Sequence, residues 1–87
     1  MAINGSDLKS PAREQPFRIY NASTVGTAIR QYRKRQGLTQ AQLAREIGTT
    51  QTYISEIENG KETEALRLIF AIFRRLGLRA TLQHEDW

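Results

Sequence analysis

Four polar side chains suited to contacting base edges lie within residues 51–56. They are Gln51, Thr52, Ser55 and Glu56. In a helix these positions share one face, opposite Ile54 and Ile57. A glutamine amide can form two hydrogen bonds with an adenine edge, and a threonine methyl group can pack against thymine. The pattern predicts a base-reading face, on which Glu56 either accepts from a cytosine amino group or discourages binding to wrong sites.

A short helix before this face is predicted to brace it. Thr39 stands at an N-cap position with Gln42 three residues later, a capping-box pattern, and Gly48 follows the last apolar residue. The spacing predicts a helix over residues 40–47. Its buried stripe is expected to consist of Leu43, Ala44 and Ile47.

The helix that carries the polar face is expected over residues 51–58. Thr50 caps its start, and Asn59-Gly60 ends it with residues that tolerate the left-handed conformation. Its inward face is expected to consist of Tyr53, Ile54 and Ile57. Two such helices, joined by a tight turn at Gly48, predict a helix-turn-helix whose second helix projects outward and enters the major groove of duplex DNA.

Longer helices are predicted on both sides of this motif. Asn21 caps residues 22–36, which end at Gly37, and Thr63 caps another helix that ends at Gly77. The apolar residues with helical spacing in the first are Val25, Ile29 and Tyr32. In the last helix they are Leu66, Ile69, Phe70, Phe73 and Leu76. The last helix is expected to pack beneath the others as an apolar base.

A short strand is predicted after the last helix, over residues 78–83. Leu78, Ala80 and Leu82 alternate with polar residues, which is the period of a half-buried strand. Because a lone strand leaves backbone donors and acceptors unpaired, we expect it to pair with the same segment of a second chain. Residues 17–20 form either a short strand, which would assist that pairing, or an anchoring extension. The pattern thus predicts a homodimer.

Basic and polar residues around the motif are candidates for contacts with DNA phosphates. The basic cluster of Arg30, Lys34 and Arg35 either flanks the groove or is a solvated helix face. Weaker candidates are Thr50, Tyr53, Asn59 and Lys61. Because Tyr53 has the spacing of a core residue, packing is its default role.

Composition limits the number of domains and the kinds of partner and site that the chain can have. With 87 residues the chain has room for one compact domain with a marginal core, and a net charge of +4 suits a polyanionic partner. The absence of cysteine excludes disulfides and thiolate zinc sites, and we expect no metal site, cofactor or catalytic constellation. No membrane span or signal peptide is expected, which predicts a cytoplasmic protein that is nucleoid-associated when bound to DNA.

Both ends of the chain are expected to be flexible, as a polar arm over residues 1–16 and a tail over residues 84–87. His84 has polar neighbours, so we expect it to be solvated rather than to act as a ligand or base. Trp87 either packs on its own dimer or inserts into a pocket of a partner, and the second use is preferred.

Residues 39–61, TQAQLAREIGTTQTYISEIENGK, resemble the helix-turn-helix of the phage repressor and Cro superfamily, also called the Xre family. The resemblance covers about residues 25–76. It implies that Gln40 contacts a backbone phosphate and that Arg33 and Glu58 form a structural ion pair. It also implies base-reading positions at Gln51, Thr52 and Glu56.

Within that superfamily, the order of elements, the closing strand LRATLQ and the final Trp resemble the HipB-type antitoxins over residues 17–87. The resemblance implies a homodimer formed through an intermolecular sheet of the C-terminal strand. It also implies an inverted-repeat operator upstream of the protein's own genes and a HipA-type serine/threonine kinase toxin as partner.

Two alternatives stay open beside an antitoxin. One is a stand-alone Xre-family or phage-type regulator without a toxin. The other is an interaction module that mainly clamps a partner protein, which the acidic Glu56 favours.

The fold predicted from these features is mainly all-α. It is a lambda-repressor-like DNA-binding domain of four to five helices over residues 17–77, followed over residues 78–83 by a β-strand that pairs across a homodimer. The predicted function is that of a non-enzymatic, sequence-specific repressor that autoregulates its own operon.

Overall fold

The computed structural model describes residues 17–84, which form four helices and two short strands. The elements are β1 (Phe17–Ile19), α1 (Ala22–Arg35), α2 (Gln40–Ile47), α3 (Gln51–Glu58), α4 (Glu64–Leu76) and β2 (Ala80–Leu82). The fold is mainly helical with a short C-terminal strand, as predicted, and α2 and α3 have the predicted bounds. The predicted arm at residues 1–16 and Trp87 lie outside the described residues. No helix within residues 17–84 is long and apolar enough to cross a membrane.

Each helix starts at a side chain that accepts a hydrogen bond from the backbone N–H three residues later. These N-cap residues are Asn21, Thr39, Thr50 and Thr63, as predicted. Before α2 the cap is reciprocal, because Thr39 Oγ1 accepts from Gln42 N at 3.0 Å and Gln42 Oε1 accepts from Thr39 N at 2.8 Å. One such cap contributes about 1 kcal/mol to helix stability. The helix starts are therefore set by residues within one turn of sequence.

A glycine in the left-handed region makes the tight turn between α2 and α3. Gly48 has φ of 81° and ψ of 36°, and the N–H of Thr49 donates to Ala44 O at 2.8 Å. A residue with a Cβ is strained in this conformation, whereas glycine is not. Of the Asn59-Gly60 pair that ends α3, the glycine alone adopts it, since φ is −86° at Asn59 and 86° at Gly60. The short turn lets α3 pack directly against α2.

The core of the helix-turn-helix is built mainly from small side chains. The buried apolar residues are Ala22, Ala28, Ala44, Ile54 and Phe70. α3 packs against both α1 and α2. Where α1 meets α3, an added Cβ on Gly26 would lie 2.3 Å from Ile57 O. Glycine at this position therefore permits a backbone approach that no other residue allows.

Within α2 and α3, two residues predicted to be buried are exposed instead. Ile47 is 62% exposed and Tyr53 is 51% exposed. Ile47 is the last residue of α2, at the point where the chain turns away, whereas Ala44 is buried and Leu43 is half-buried. The spacing of apolar residues predicts a helix face, but neighbouring elements decide how much of that face is covered.

The apolar surface of α4 is wider than the other residues within 17–84 cover. Phe70 is buried and Phe73 is half-buried, and their rings meet edge to face with centroids 5.8 Å apart. Ile69 and Leu76, both predicted as core, are exposed. We refer to Leu68, Ile69, Ile72 and Leu76 as the exposed α4 face. α4 thus packs inward on one side only.

The C-terminal strand has a partner within its own chain. β2 pairs antiparallel with β1, in the register Phe17–Leu82, Arg18–Thr81 and Ile19–Ala80. This corrects the prediction that the strand lacks a partner in the same chain, and β2 is also shorter than predicted. Leu78 lies outside the strand, because its N–H donates to Phe73 O at 2.8 Å and closes α4. α1 packs against β1, which holds the start of the described chain beside β2.

Candidate nucleic-acid interface

The outer face of α3 presents the side chains predicted to read bases. Gln51 and Thr52 are exposed in the first turn, and Ser55 and Glu56 are half-buried one turn later. Ile54, on the opposite side, is buried. Thr50 caps this helix by accepting from Tyr53 N at 3.1 Å. The exposed polar side chains therefore stand at the end of the helix that enters a groove in helix-turn-helix proteins.

An ion pair joins the acidic residue of this face to a cation beyond the helix end. Lys61 Nζ lies 3.3 Å from Glu56 Oε1, and the Lys61 N–H donates to Glu56 O at 3.0 Å. The second bond closes α3 and holds the two residues next to each other. The ammonium group partly screens a carboxylate that would otherwise repel phosphates. Two residues predicted as separate DNA contacts thus come together.

A buried ion pair ties α1 to the end of α3. Arg33 Nε donates to Glu58 Oε2 at 2.6 Å, and Arg33 Nη2 donates to Glu58 Oε1 at 3.0 Å, a bidentate geometry. The Glu58 side chain is 0% exposed and the Arg33 side chain is 9% exposed. Arg33 Nη1 also donates to Leu38 O at 2.7 Å, which fixes the segment between α1 and α2. The structure thus brings together the two residues that the family resemblance pairs.

The ion pair shifts the pKa values of both partners. The hydrogen bond from Arg33 holds the pKa of Glu58 below its ordinary value, with a smaller contribution in the same direction from the Gln40 amide. The same Arg33–Glu58 bond raises the pKa of Arg33. Glu58 is therefore ionised at neutral pH despite its burial, because donors surround it.

Three residues predicted to contact phosphates gather around this carboxylate. Gln40 Nε2 donates to Glu58 Oε1 at 3.0 Å, and Arg30 Nε lies 3.5 Å from the same oxygen. Arg30 Nη2 donates to Asn59 Oδ1 at 3.3 Å. We refer to Arg30, Arg33, Gln40, Glu58 and Asn59 as the Glu58 junction. It connects α1, α2 and the end of α3.

The remaining phosphate candidates lie outside the junction. Lys34 and Arg35 are exposed in the last turn of α1, and the Arg35 guanidinium lies 5.3 Å from the centre of the Tyr32 ring. With Arg33 they place positive charge at the C-terminal end of α1, where it stabilises the helix dipole. Stabilisation of α1 therefore also accounts for the positions of Lys34 and Arg35.

Three contacts of this region leave little trace in the sequence. Gly26 sits inside a helix, where glycine costs about 1 kcal/mol relative to alanine, and that placement is the only signal of the close approach to α3. The Gln40–Glu58 bond joins side chains on different helices and has no local signal. A third contact, from the Tyr32 hydroxyl to Leu82 O at 3.4 Å, links α1 to β2.

The chain is similar in sequence to known helix-turn-helix proteins. The family described as Helix-turn-helix, HTH_3, matches residues 29–82. Antitoxin HipB of Escherichia coli is 35% identical over 65 residues, which cover 75% of this chain and 74% of that protein. An uncharacterized HTH-type transcriptional regulator of Methanothermobacter thermautotrophicus is 43% identical over 51 residues, which cover 59% of this chain and 74% of that protein.

A solved structure extends the similarity to the fold. A HipB variant in complex with an O2 20mer is 35% identical, with a TM-score of 0.50, and the match covers 78% of this chain and 94% of that chain. The resemblance to Xre-type helix-turn-helix proteins and to HipB-type antitoxins is thereby confirmed.

Proposed function

Because this chain belongs to the helix-turn-helix family of DNA-binding transcriptional regulators, we propose that it is a sequence-specific repressor that inserts α3 into the major groove. The observation that carries the proposal is the exposure of Gln51 and Thr52 in the first turn of α3, with Ile54 buried behind them. Side chains in those places can reach base edges while the core stays intact. Ser55 and Glu56 complete the proposed base-reading face.

Phosphate contacts are proposed to set the register of the protein on the duplex. The innermost contacts come from the Glu58 junction, through Gln40, Arg30 and Asn59. The outer ones are assigned to Lys34, Arg35, Thr50, Tyr53 and Lys61. Contacts of this kind orient a protein without reading sequence. Because each neutralised phosphate releases condensed cations, we expect the affinity to fall steeply as salt rises.

The repressor is proposed to act as a homodimer on an inverted repeat. Leu68, Ile69, Ile72 and Leu76 recur along one side of α4 and remain exposed, and contiguous apolar surface of this kind marks an interface. A second copy would cover this face together with Leu78, Ala80 and Leu82, since β2 has a paired strand on one edge only within residues 17–84. In a two-fold dimer, copies of α3 about 34 Å apart match successive major grooves.

A finer proposal concerns the partner and the target gene. The similarity to antitoxin HipB supports a role as the antitoxin of a HipA-type serine/threonine kinase, acting in the cytoplasm and repressing its own operon. A second candidate, a regulator without a toxin, is favoured by the similarity to an archaeal HTH-type transcriptional regulator. A mobility-shift assay with the product of the adjacent gene separates the two. A slower-migrating ternary complex with a kinase supports the antitoxin, and a non-kinase neighbour that leaves the shift unchanged supports the plain regulator.

In vitro selection from random duplexes, followed by mobility shifts, tests the DNA-binding proposal. We expect the wild-type protein to enrich an inverted repeat. Gln51→Ala should lose about 1–3 kcal/mol of binding free energy and relax the preference at one base pair in each half-site. Gln31→Ala makes the same chemical change at an exposed position of α1 and should change neither. An unchanged base preference in Gln51→Ala would show that α3 is not the reading helix.

A further inference from the structure

More side chains approach the Glu58 carboxylate than are needed to pair its charge, because Gln40 and Arg30 approach it in addition to Arg33. Oε2 accepts from Arg33 Nε at 2.6 Å, whereas Oε1 accepts from Arg33 Nη2 and from Gln40 Nε2, both at 3.0 Å. Arg30 Nε approaches the same Oε1 to 3.5 Å. One oxygen of a fully buried carboxylate thus meets a donor from α2 and two donors from α1. Neither Gln40 nor Arg30 is needed to neutralise the charge that Arg33 already neutralises.

The Gln40 amide can present either its nitrogen, a donor, or its oxygen, an acceptor, and its bonding partner determines which of the two is presented. An ionised carboxylate only accepts hydrogen bonds, so it directs the Gln40 nitrogen, not the amide oxygen, towards Glu58. That nitrogen carries a second N–H, which remains available to donate. A phosphate also only accepts, so an amide presenting its oxygen to the backbone of DNA would repel it. Glu58 therefore selects the amide orientation that suits a phosphate.

Arg30 is oriented from two sides by the same part of α3. Its Nε faces Glu58 Oε1 at 3.5 Å, and its Nη2 donates to Asn59 Oδ1 at 3.3 Å. The Arg30 side chain is still 46% exposed, so part of it is accessible to a ligand. A long arginine side chain otherwise samples many rotamers, and holding it in one of them lowers the entropy lost when it meets a ligand.

We propose that Glu58 is a positioning residue for the DNA-backbone contacts, holding the Gln40 amide and the Arg30 guanidinium in the places from which they donate to phosphates. The inference rests on the proposed function. It gives the buried carboxylate a role in recognition that goes beyond joining α1 to α3. Through this role the register of α3 in the groove is coupled to the donors on α1 and α2, because all of them are fixed to one carboxylate.

The sign of the effect on DNA binding separates positioning from bulk electrostatics. Removing a negative charge near DNA should tighten binding to any duplex if charge alone matters. If Glu58 positions donors, its removal should weaken binding to the selected duplex more than binding to an unrelated duplex, because only the selected duplex holds its phosphates in one register opposite these donors. Loss of folded protein would instead weaken both to the same extent.

The test measures Glu58→Gln against the selected duplex and against a scrambled duplex of equal length, by fluorescence anisotropy at temperatures where circular dichroism shows a folded protein. We expect affinity for the selected duplex to fall about tenfold or more and affinity for the scrambled duplex to fall by a smaller factor, because phosphates lie at fixed places opposite these donors only in the specific register. Phe70→Leu is the control for general destabilisation, since Phe70 is buried on α4 away from the junction. We call the affinity for the selected duplex divided by the affinity for the scrambled duplex the specificity ratio. The specificity ratio of Phe70→Leu should equal that of the wild type. An unchanged ratio in folded Glu58→Gln would overturn the proposal.

A double-variant cycle identifies the contact responsible. Gln40→Ala should weaken binding to the selected duplex about tenfold in the wild-type background and less than about threefold in the Glu58→Gln background, because the amide is already misplaced there. Equal factors in the two backgrounds would overturn the proposal. If Glu58→Gln does not fold, Glu58→Asp replaces it, since aspartate keeps the charge but withdraws it from Gln40 by one methylene. The same loss of specificity ratio is expected there.

Failure of this inference is distinct from failure of the proposed function. If the wild-type protein enriches no duplex, the proposed function fails and the inference fails with it. If the wild-type protein enriches a duplex and folded Glu58→Gln or Glu58→Asp retains its full specificity ratio, only the positioning role is overturned.

Discussion

The Glu58 junction and the exposed α4 face differ in whether their own chain supplies the groups that pack against them or bond to them. At the junction, donors from α1 reach both oxygens of the buried carboxylate, and a donor from α2 reaches one of them. On α4, Leu68, Ile72 and Leu76 remain in contact with water. A buried charge without partners costs several kcal/mol, so its partners must be present whenever the chain is folded. An exposed apolar face costs less and can be covered later by a second copy.

This difference separates two parts of the proposed function. The reading unit, α1 to α3, is held together by contacts within one chain, including the close approach of Gly26 to Ile57 O. The spacing between two reading units depends in the proposal on the exposed α4 face. Substitutions at the junction should therefore act on folding and on specificity, while substitutions on α4 should act on assembly.

The largest effect is expected from Gly26→Ala, which breaks the framework of the junction. The added Cβ would lie 2.3 Å from Ile57 O and 2.7 Å from Glu58 O, and these backbone atoms cannot rotate aside. We expect a loss of about 3 kcal/mol or more in the free energy of unfolding, enough to unfold much of a chain this small. Thermal unfolding followed by circular dichroism measures it.

Gly37→Ala is the matched control for that substitution. Its Cβ would meet nothing within 4 Å, and only its φ of 74° opposes the change. The expected loss is about 1–2 kcal/mol, the cost of a left-handed conformation for a residue with a side chain. Equal losses in the two variants would contradict the close contact between α1 and α3.

The next effect is expected on α4, where Ile72→Glu places a charge in the middle of the exposed α4 face. The reading unit should stay folded, but sedimentation equilibrium should show a monomer. Because a monomer engages one half-site only, affinity for the inverted repeat should fall by about 10²–10⁴-fold. Gln31→Glu adds the same charge at an exposed position of α1 and should leave the dimer intact. A dimeric Ile72→Glu protein would contradict the role assigned to this face.

Acid should weaken the junction, and the sign of this change in folding stability follows from the direction of the pKa shift of Glu58. Since the hydrogen bond from Arg33 lowers that pKa in the folded chain, below the ordinary value of 4.5, the unfolded chain binds this proton more readily. The contribution of Glu58 to stability is therefore complete above pH 4.5 and is lost as the pH falls through the lower, folded-state pKa. Urea unfolding at a series of pH values measures this loss.

The Glu58→Gln variant tests whether protonation of Glu58 causes the loss of stability in acid. It should be less stable than the wild type by about 3 kcal/mol at neutral pH, because Arg33 loses its partner, and should lose less stability below pH 4.5. Glu46→Gln, which removes an exposed carboxylate of α2, should keep the wild-type stability at neutral pH. Identical slopes for the wild type and Glu58→Gln would contradict the assignment of this titration to the junction.

The smallest effect is expected from the exposed pair of Glu56 and Lys61. A surface ion pair contributes less than about 1 kcal/mol to folding, so Lys61→Ala should barely move the unfolding midpoint. It should nevertheless weaken binding to a scrambled duplex at low salt by about threefold, because one cation is lost and the carboxylate is unscreened. Adding Glu56→Gln should restore part of the affinity. No restoration in the double variant would show that Lys61 does not screen Glu56.

Local features of the sequence predict the helix starts and the exposure of Gln51 and Thr52 well. Asn21, Thr39, Thr50 and Thr63 cap the helices with side chains that bond within one turn, so their signals are short-range. The exposure of Gln51 and Thr52 follows from helical spacing once Ile54 faces the core. Such features depend on residues a few positions apart and are readable without knowledge of the tertiary structure.

Features that depend on distant residues are predicted poorly. The partner of β2 is β1, near the opposite end of the described chain, and no spacing within residues 78–83 indicates it. Ile47 and Tyr53 have the period of core residues, but their burial depends on which neighbours reach them. The bond from Gln40 to Glu58 exists because α2 and α3 pack side by side. Each of these outcomes is set by packing rather than by local sequence.

Methylation interference on the selected duplex tests the central claim most directly. If α3 reads the major groove, methyl groups on guanine N7, which project into that groove, should block binding in two clusters about one helical turn apart. Interference confined to adenine N3, in the minor groove, would contradict the placement of α3.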